Sequence, residues 1–180
     1  MDELNNNYGF EQTILPHWKA AYNFARWLTR NDDDAADIVQ DAYLKAFKAF
    51  GGYRGGDSKS WLLSIVKNTF YTKYQIKKRY DRIFDSEYND DEMVTDNADP
   101  EILYIQKENT QFLKNELEKL QLEFREVIIL REIEGLSYKA ISDILEIPLG
   151  TVMSRLARGR KCLYLSMARQ NKNEDFNERP

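Results

Sequence analysis

Apolar residues along this chain recur at intervals of three and four rather than two, and only four prolines (Pro16, Pro100, Pro148, Pro180) interrupt them. That spacing lays apolar side chains along one stripe of a helix, and such a stripe is buried by packing against other helices. An all-α fold follows. After Pro16, the residues Trp18, Ala21, Tyr22, Ala25 and Leu28 form the first stripe, ending at Thr29-Arg30-Asn31. Asp32, Asp33 and Asp34 offer a capping, dipole-matched start to a second helix carrying Val39, Ala42, Tyr43, Ala46 and Phe50 and stopped by Gly51-Gly52. A short loop from Tyr53 to Ser58 leads into a third helix, which begins near Lys59 or Ser60, carries Trp61, Leu62, Ile65, Val66 and Phe70, and runs to around Arg79.

The composition changes at Asp81. From there to Glu101 nine acids stand against one base, with little apolar periodicity, as in a flexible acidic linker. Beyond it, Phe112, Leu113, Leu117, Leu120, Phe124, Val127, Ile128 and Leu130 build helices of a second, smaller bundle. The expected organisation is a helical domain over 1–80, a linker over 81–108, a second helical domain over 109–170 and a disordered tail over 171–180.

Several functions are excluded cheaply. Cys162 is the only cysteine and His17 the only histidine, so a disulfide, a zinc cluster or a Cys/His catalytic pair is not available. A reducing cytoplasm is the natural setting, with no metal or cofactor expected. Met1 to Gln12 carries acids and asparagines but no Lys or Arg, and no apolar run reaches spanning length, so neither export nor membrane insertion is expected. Phosphate-binding glycine loops, the G-x-S-x-G elbow and H-E-x-x-H are missing from the sequence, and no catalytic residue is assigned.

With 26 Lys+Arg against 30 Asp+Glu the net charge is -4, an average that argues against a nucleic-acid partner. Read by segment, the argument reverses. From Leu149 to Lys172 there are six bases and no acid. Just upstream, Ser137 is suited to cap a short helix over Tyr138–Leu145, with Ala140, Ile141 and Ile144 inward; Glu146-Ile147-Pro148 makes a turn, and Pro148 can open the next helix at its first position. Two helices joined by a tight turn is the helix-turn-helix plan. On the second of them Val152, Leu156, Gly159 and Leu163 share a narrow face, while Ser154, Arg158 and Lys161 fall opposite, flanked by Thr151 and Arg155. Ser154, Arg155 and Arg158 are placed to read base edges; Lys139, Thr151, Arg160 and Lys161 suit phosphates. A merely solvated basic helix is the bland alternative.

A second basic block runs from Arg54 to Arg82, eight bases against two acids, interleaved with Tyr53, Trp61, Phe70, Tyr71 and Tyr74. Cations among aromatic rings suit single-stranded or opened DNA, where unpaired bases stack and the backbone is neutralised. The loop beside this helix could pocket an extruded base, with Asn68 as hydrogen-bonding partner; the bland reading makes Trp61 and Phe70 core. The outer face of the second helix, Asp37, Gln40, Asp41, Lys45 and Lys48, is acidic in its first half and looks like a protein-docking face, with an ordinary solvated face as the alternative.

Taken together these segments resemble the sigma factors of bacterial RNA polymerase, specifically the extracytoplasmic-function (group 4) members of the sigma-70 family. The resemblance is carried by Asp34-Ala35-Ala36-Asp37-Ile38-Val39-Gln40-Asp41-Ala42-Tyr43-Leu44-Lys45-Ala46-Phe47, by Tyr53-Arg54-Gly55-Gly56-Asp57 with Trp61-Leu62-Leu63-Ser64-Ile65-Val66-Lys67-Asn68, by Arg125-Glu126-Val127-Ile128-Ile129-Leu130-Arg131-Glu132, by Gly135-Leu136-Ser137-Tyr138-Lys139-Ala140-Ile141-Ser142, and by Pro148-Leu149-Gly150-Thr151-Val152-Met153-Ser154-Arg155-Leu156. It implies a non-enzymatic initiation subunit whose partners are core RNA polymerase, promoter DNA and an anti-sigma protein. Asp37, Gln40, Asp41 and Lys45 would dock on the clamp helices of the largest polymerase subunit, and the C-terminal domain on the flap. Tyr53, Arg54, Asp57, Ser58, Trp61, Asn68, Tyr71 and Lys73 would read and melt the −10 element as single strand; Lys139, Thr151, Ser154, Arg155, Arg158, Arg160 and Lys161 would read the −35 element as duplex. The linker would pass near the RNA exit path. Three positions depart from the family pattern: Met153 where a base is common, Trp61-Leu62 where primary sigma factors have two tryptophans, and Gly55-Gly56 where one glycine is usual. The competing reading is a helix-turn-helix regulator acting without polymerase, which leaves the first two matches unexplained. A nucleic-acid-processing enzyme lacks the clustered carboxylates or metal motif it would need.

Overall fold

The computed structural model describes the backbone of residues 2–83 and 104–177 and the side chains of residues 8–77 and 111–169. Helix α1 spans Asp2–Thr13; a 3-10 turn at Leu15–His17 leads into α2 (Trp18–Thr29) and α3 (Asp32–Ala49); a second 3-10 turn, Phe50–Gly52, precedes α4 (Ser58–Ile83). Then come α5 (Tyr104–Lys119), α6 (Leu122–Ile128) widened into a π turn over Ile129–Ile133, α7 (Tyr138–Leu145) and α8 (Leu149–Asn177). Among the described residues there is no strand, as the spacing of the apolar residues requires.

The first half is a packed set of α2, α3 and α4. Their contact faces are lined with alanine: Ala21, Ala25, Ala35, Ala42 and Ala46 are all fully buried. Small side chains let helix axes approach closely, and Phe24, Leu62, Leu63 and Val66 fill the remaining space. Phe24, absent from the expected stripe, takes the central place, while Trp18 at the other end of that stripe is 59% exposed. Helix α3 is capped by Asn31, whose side chain accepts from the Asp34 amide at 2.9 Å, rather than by the aspartates that follow; those lie in the first turn and suit its positive end. Helix α1 was not foreseen, because its residues carry no apolar stripe. Among its described side chains Phe10 is the buried one, set edge-on to Phe47 and Phe50 at 5.2 and 5.3 Å.

The second half packs α8 across α6 and α7. Val127, Ile129, Leu130, Ile141 and Val152 are fully buried and Leu156 nearly so. Gly159 marks the closest approach: a Cβ there would lie 2.6 Å from Ile128 Cδ1 and 3.3 Å from Phe124 Cβ. Two expected boundaries shift. Backbone at 81–83 and 104–108, expected in the linker, belongs to α4 and α5, and residues 84–103 lie outside the described residues. The tail expected to be disordered from 171 is helical as far as Asn177, since no glycine or proline stands between Gly159 and Pro180 to stop α8; residues 178–180 lie outside the described residues.

Candidate nucleic-acid interface

The loop between α3 and α4 is built by an aromatic ladder and a tight glycine turn. Phe50 stacks on Tyr53 with centroids 5.7 Å apart, and Tyr53 leans on Trp61 at 4.9 Å. The Tyr53 hydroxyl donates to the Gly56 carbonyl at 2.8 Å, closing a turn in which Gly55 and Gly56 have φ of 86° and 101°, open to glycine and costly to any other residue. Asp57 then caps α4, accepting from the Ser60 amide at 3.1 Å and the Ser60 hydroxyl at 2.6 Å. The hydroxyl bond, ahead of a smaller opposing effect of burial, holds its carboxyl below the usual range. Ser58 Oγ pairs with His17 Nε2 at 2.8 Å, tying the turn before α2 to this loop. The fold thus gathers Tyr53, Arg54, Asp57, Ser58 and Trp61 at one end of α4. Asn68 is exposed but lies ten residues further on, roughly 15 Å along the axis. Of the two aromatics for which a core role competed, Phe70 is core and Trp61 is only half-buried.

On α3, Asp37 and Gln40 stand in solvent. Asp41 is paired with Lys73 at 2.8 Å and Lys45 donates to Thr69 at 3.1 Å, so α3 and α4 share residues expected on two different surfaces.

In the second half the Ser137 hydroxyl accepts from the Ala140 amide at 3.1 Å, capping α7 as expected. The turn passes through Glu146 in the left-handed region, with φ 56°, and is braced by the Ser142 hydroxyl donating to the Ile147 carbonyl at 2.6 Å. Pro148 sits one residue outside α8, its carbonyl receiving the amides of Thr151 and Val152, and so caps the helix instead of opening it. Val152, Leu156 and Gly159 face inward; Ser154, Arg158 and Lys161 project into solvent with Met153 beside them. Arg155 is turned the other way, its guanidinium 3.2 Å from Glu126 and 3.6 Å from Glu123. Arg160 is bound to Glu132 through Nε at 3.0 Å, and Lys139 to Asp143 at 3.4 Å.

A third feature has no counterpart in the sequence motifs: the two halves are stitched together. Lys59 meets Glu134 at 2.7 Å, Lys67 meets Glu146 at 2.8 Å, the Tyr71 hydroxyl donates to Glu126 at 2.8 Å, and Arg26 reaches Glu118 at 3.4 Å. Arg125 is buried at the same seam, donating to the carbonyls of Glu118 and Leu120, and burial lowers it to about 10. Burial pushes the Glu126 carboxyl up, and burial with the Glu126 charge pushes the Tyr71 phenol up. Beside the seam a cleft of about 400 Å³ is lined by Tyr71, Glu126 and Arg155. Lys67, Glu134 and Glu146 were not singled out as site residues, and no local pattern could have done so, since each partner lies 75 or more residues away.

Family profiles for sigma-70 region 2 and sigma-70 region 4 match residues 14–80 and 113–163, one on each half. The chain belongs to the sigma-70 family. The ECF RNA polymerase sigma-E factor of Escherichia coli K12 is 32% identical to this sigma factor over 137 residues, 72% of each chain. SigE of Mycolicibacterium smegmatis, another ECF sigma factor, is 30% identical over 162 residues, and the match spans 63% of that longer relative. Among solved structures, RpoE of Bartonella quintana, captured with the anti-sigma factor NepR, is similar at a TM-score of 0.72 with 31% identity, covering 89% of this chain and 97% of that one. CnrH, solved with the cytosolic domain of CnrY, shares the fold at a TM-score of 0.62 and 22% identity. Among the described residues no helix is long and apolar enough to cross a membrane, and no group of three His, Cys, Asp or Glu side chains is placed to hold a metal.

Proposed function

We propose that this sigma factor binds core RNA polymerase in the cytoplasm and directs it to its promoters. The observation that carries the reading is the pairing on one chain of a region 2 match, with an aromatic loop over a basic helix, and a region 4 match, with a helix-turn-helix whose outer face is basic. The exposed Asp37 and Gln40 on α3, with Asp41 and Lys45, supply the polymerase contact. Tyr53, Arg54, Asp57, Ser58 and Trp61 engage the −10 strand, a displaced base stacking in the loop; Asn68, Tyr71 and Lys73 extend that surface along α4. Ser154 and Arg158 read the −35 duplex, with Thr151, Arg160, Lys161 and Lys139 toward phosphates. Arg155, already committed to Glu126, serves chiefly to orient α8 on α6 in this reading. Residues 1–80 and 109–170 form the two functional domains, and an anti-sigma protein is the expected regulator, in keeping with the similar RpoE having been captured with NepR.

Run-off transcription with purified core polymerase tests this. Addition of the chain should produce discrete transcripts from its own promoters and none from templates with scrambled −10 and −35 elements. A chain that bound duplex promoter DNA alone yet neither bound core nor started transcription would be a helix-turn-helix regulator instead.

A further inference from the structure

The outer surface of α8 carries two parallel rows in its first three turns. Gly150, Ser154 and Arg158 follow one another at intervals of four, and so do Leu149, Met153 and Ala157, between that polar row and the core face. All six are exposed. Leu149 and Met153 keep 47% and 53% of their surface in solvent, since Val152 and Leu156 already fill the contact with α6 and α7. A major groove about 12 Å wide takes in the whole of an α-helix roughly 10–12 Å across, so both rows enter it together.

The polar row can read by hydrogen bonding, and it has few groups to do so with. Arg155 and Arg160 are spent on Glu126 and Glu132, which leaves Arg158 as the arginine of these turns with no carboxylate partner among the described residues. Met153 brings neither a strong donor nor a strong acceptor, but a long, flexible and polarizable thioether. Of the four bases thymine alone presents an apolar group in the major groove, its C5-methyl. Burying that methyl against Met153 removes apolar surface from water on both sides. Cytosine in the same place would set its amino group against the thioether with no good acceptor, and would lose that hydrogen bond to water without replacement.

We propose that Met153, with Leu149 one turn before it, selects a thymine through its C5-methyl group, so that one step of the −35 element is chosen by apolar contact. The proposal rests on the nucleic-acid reading of α8.

Holoenzyme assembled from core polymerase and the full chain is first allowed to select its preferred fragment from promoter DNA with a randomised −35 window. That fragment is then remade with each thymine of the window replaced in turn by uracil, which removes the methyl group alone. Wild-type holoenzyme should lose about fourfold in affinity at one thymine, and 5-methylcytosine there should bind better than cytosine. Met153→Ala should bind the thymine and uracil fragments equally, and Met153→Leu should keep the preference. Arg158→Ala should weaken both fragments and leave their ratio unchanged. Far-ultraviolet circular dichroism confirms that each variant is folded. Uracil tolerated at every thymine, or a thymine-to-uracil ratio that survives Met153→Ala, overturns the proposal. So does a Met153→Ala variant that loses affinity for core polymerase without DNA while keeping that ratio, which would make the apolar row a polymerase contact. Holoenzyme that selects a −35 sequence yet ignores the methyl group leaves the functional reading standing; holoenzyme that selects no sequence overturns both.

Discussion

On α8, Ser154, Arg158 and Lys161 stand in solvent on a helix whose opposite face is locked into the core; on α4, Lys59, Lys67 and Tyr71 end on carboxylates of the other half. Both blocks carry the same net positive charge in the sequence, yet one surface is open to solvent and the other is engaged. A duplex reader needs only a rigid, exposed helix, and α8 is held as one by Val152, Leu156 and Gly159. A surface for opened strands is unused until a duplex has been melted.

The widest test of that contrast asks whether the halves unfold as separate units. Phe24→Ala in the first core should cost about 3–5 kcal/mol and Leu156→Ala in the second about 2–5 kcal/mol. Because the seam is polar, each should move mainly its own transition in calorimetry; a single joint transition displaced equally by both would mean the halves are one cooperative body. Next in size, Gly159→Val should destabilise the second half by about 1–3 kcal/mol, since its Cβ enters the space of Ile128 and its branches crowd Phe124. Denaturant titration of the intact chain reads this.

The division of DNA work is finer. Arg158→Ala should weaken binding to a −35 duplex by about 1–3 kcal/mol, while Trp61→Ala should remove a comparable stacking contribution of about 1–3 kcal/mol from strand binding and chiefly impair open-complex formation. Permanganate footprinting beside duplex band shifts separates the two steps, and equal losses in both assays for both variants would erase the contrast. Smallest is the cap on α4. Asp57 is held below the usual carboxylate value, so its contribution is fully present above about 3.9 and fades as pH falls through its lower folded value. Asp57→Asn, which keeps the cap and removes only its charge, should flatten that acid limb of the stability profile at a cost of about 0.3–1 kcal/mol near neutral pH.

Much of this molecule is local, and the sequence shows it for that reason. Ser137, the turn at Glu146 and the inward face of Val152, Leu156 and Gly159 are all set by neighbours within a few residues, and they appear as expected. The loop from Tyr53 to Trp61 is short-range too, apart from the tie of Ser58 to His17. Errors fell where a longer-range partner chose the outcome. Phe24 displaced Trp18 from the core because α3 and α4 converge on its side of α2, and α1 formed without a stripe of its own because Phe10 found a socket between Phe47 and Phe50. Arg155, equivalent to Arg158 by helical arithmetic, is claimed by Glu126 across α6.

The sequence alone, through helical periodicity, caps and clustered charge, determined an all-helical chain with two basic regions and a helix-turn-helix. Each of those signals is spent within one or two turns of helix. Which cations remain free is a different kind of fact. For Arg155 it depends on Glu126, 29 positions away, and for Lys59 and Lys67 on residues 75 and 79 positions away in the other half, and Coulomb attraction acts through space, without regard to order along the chain.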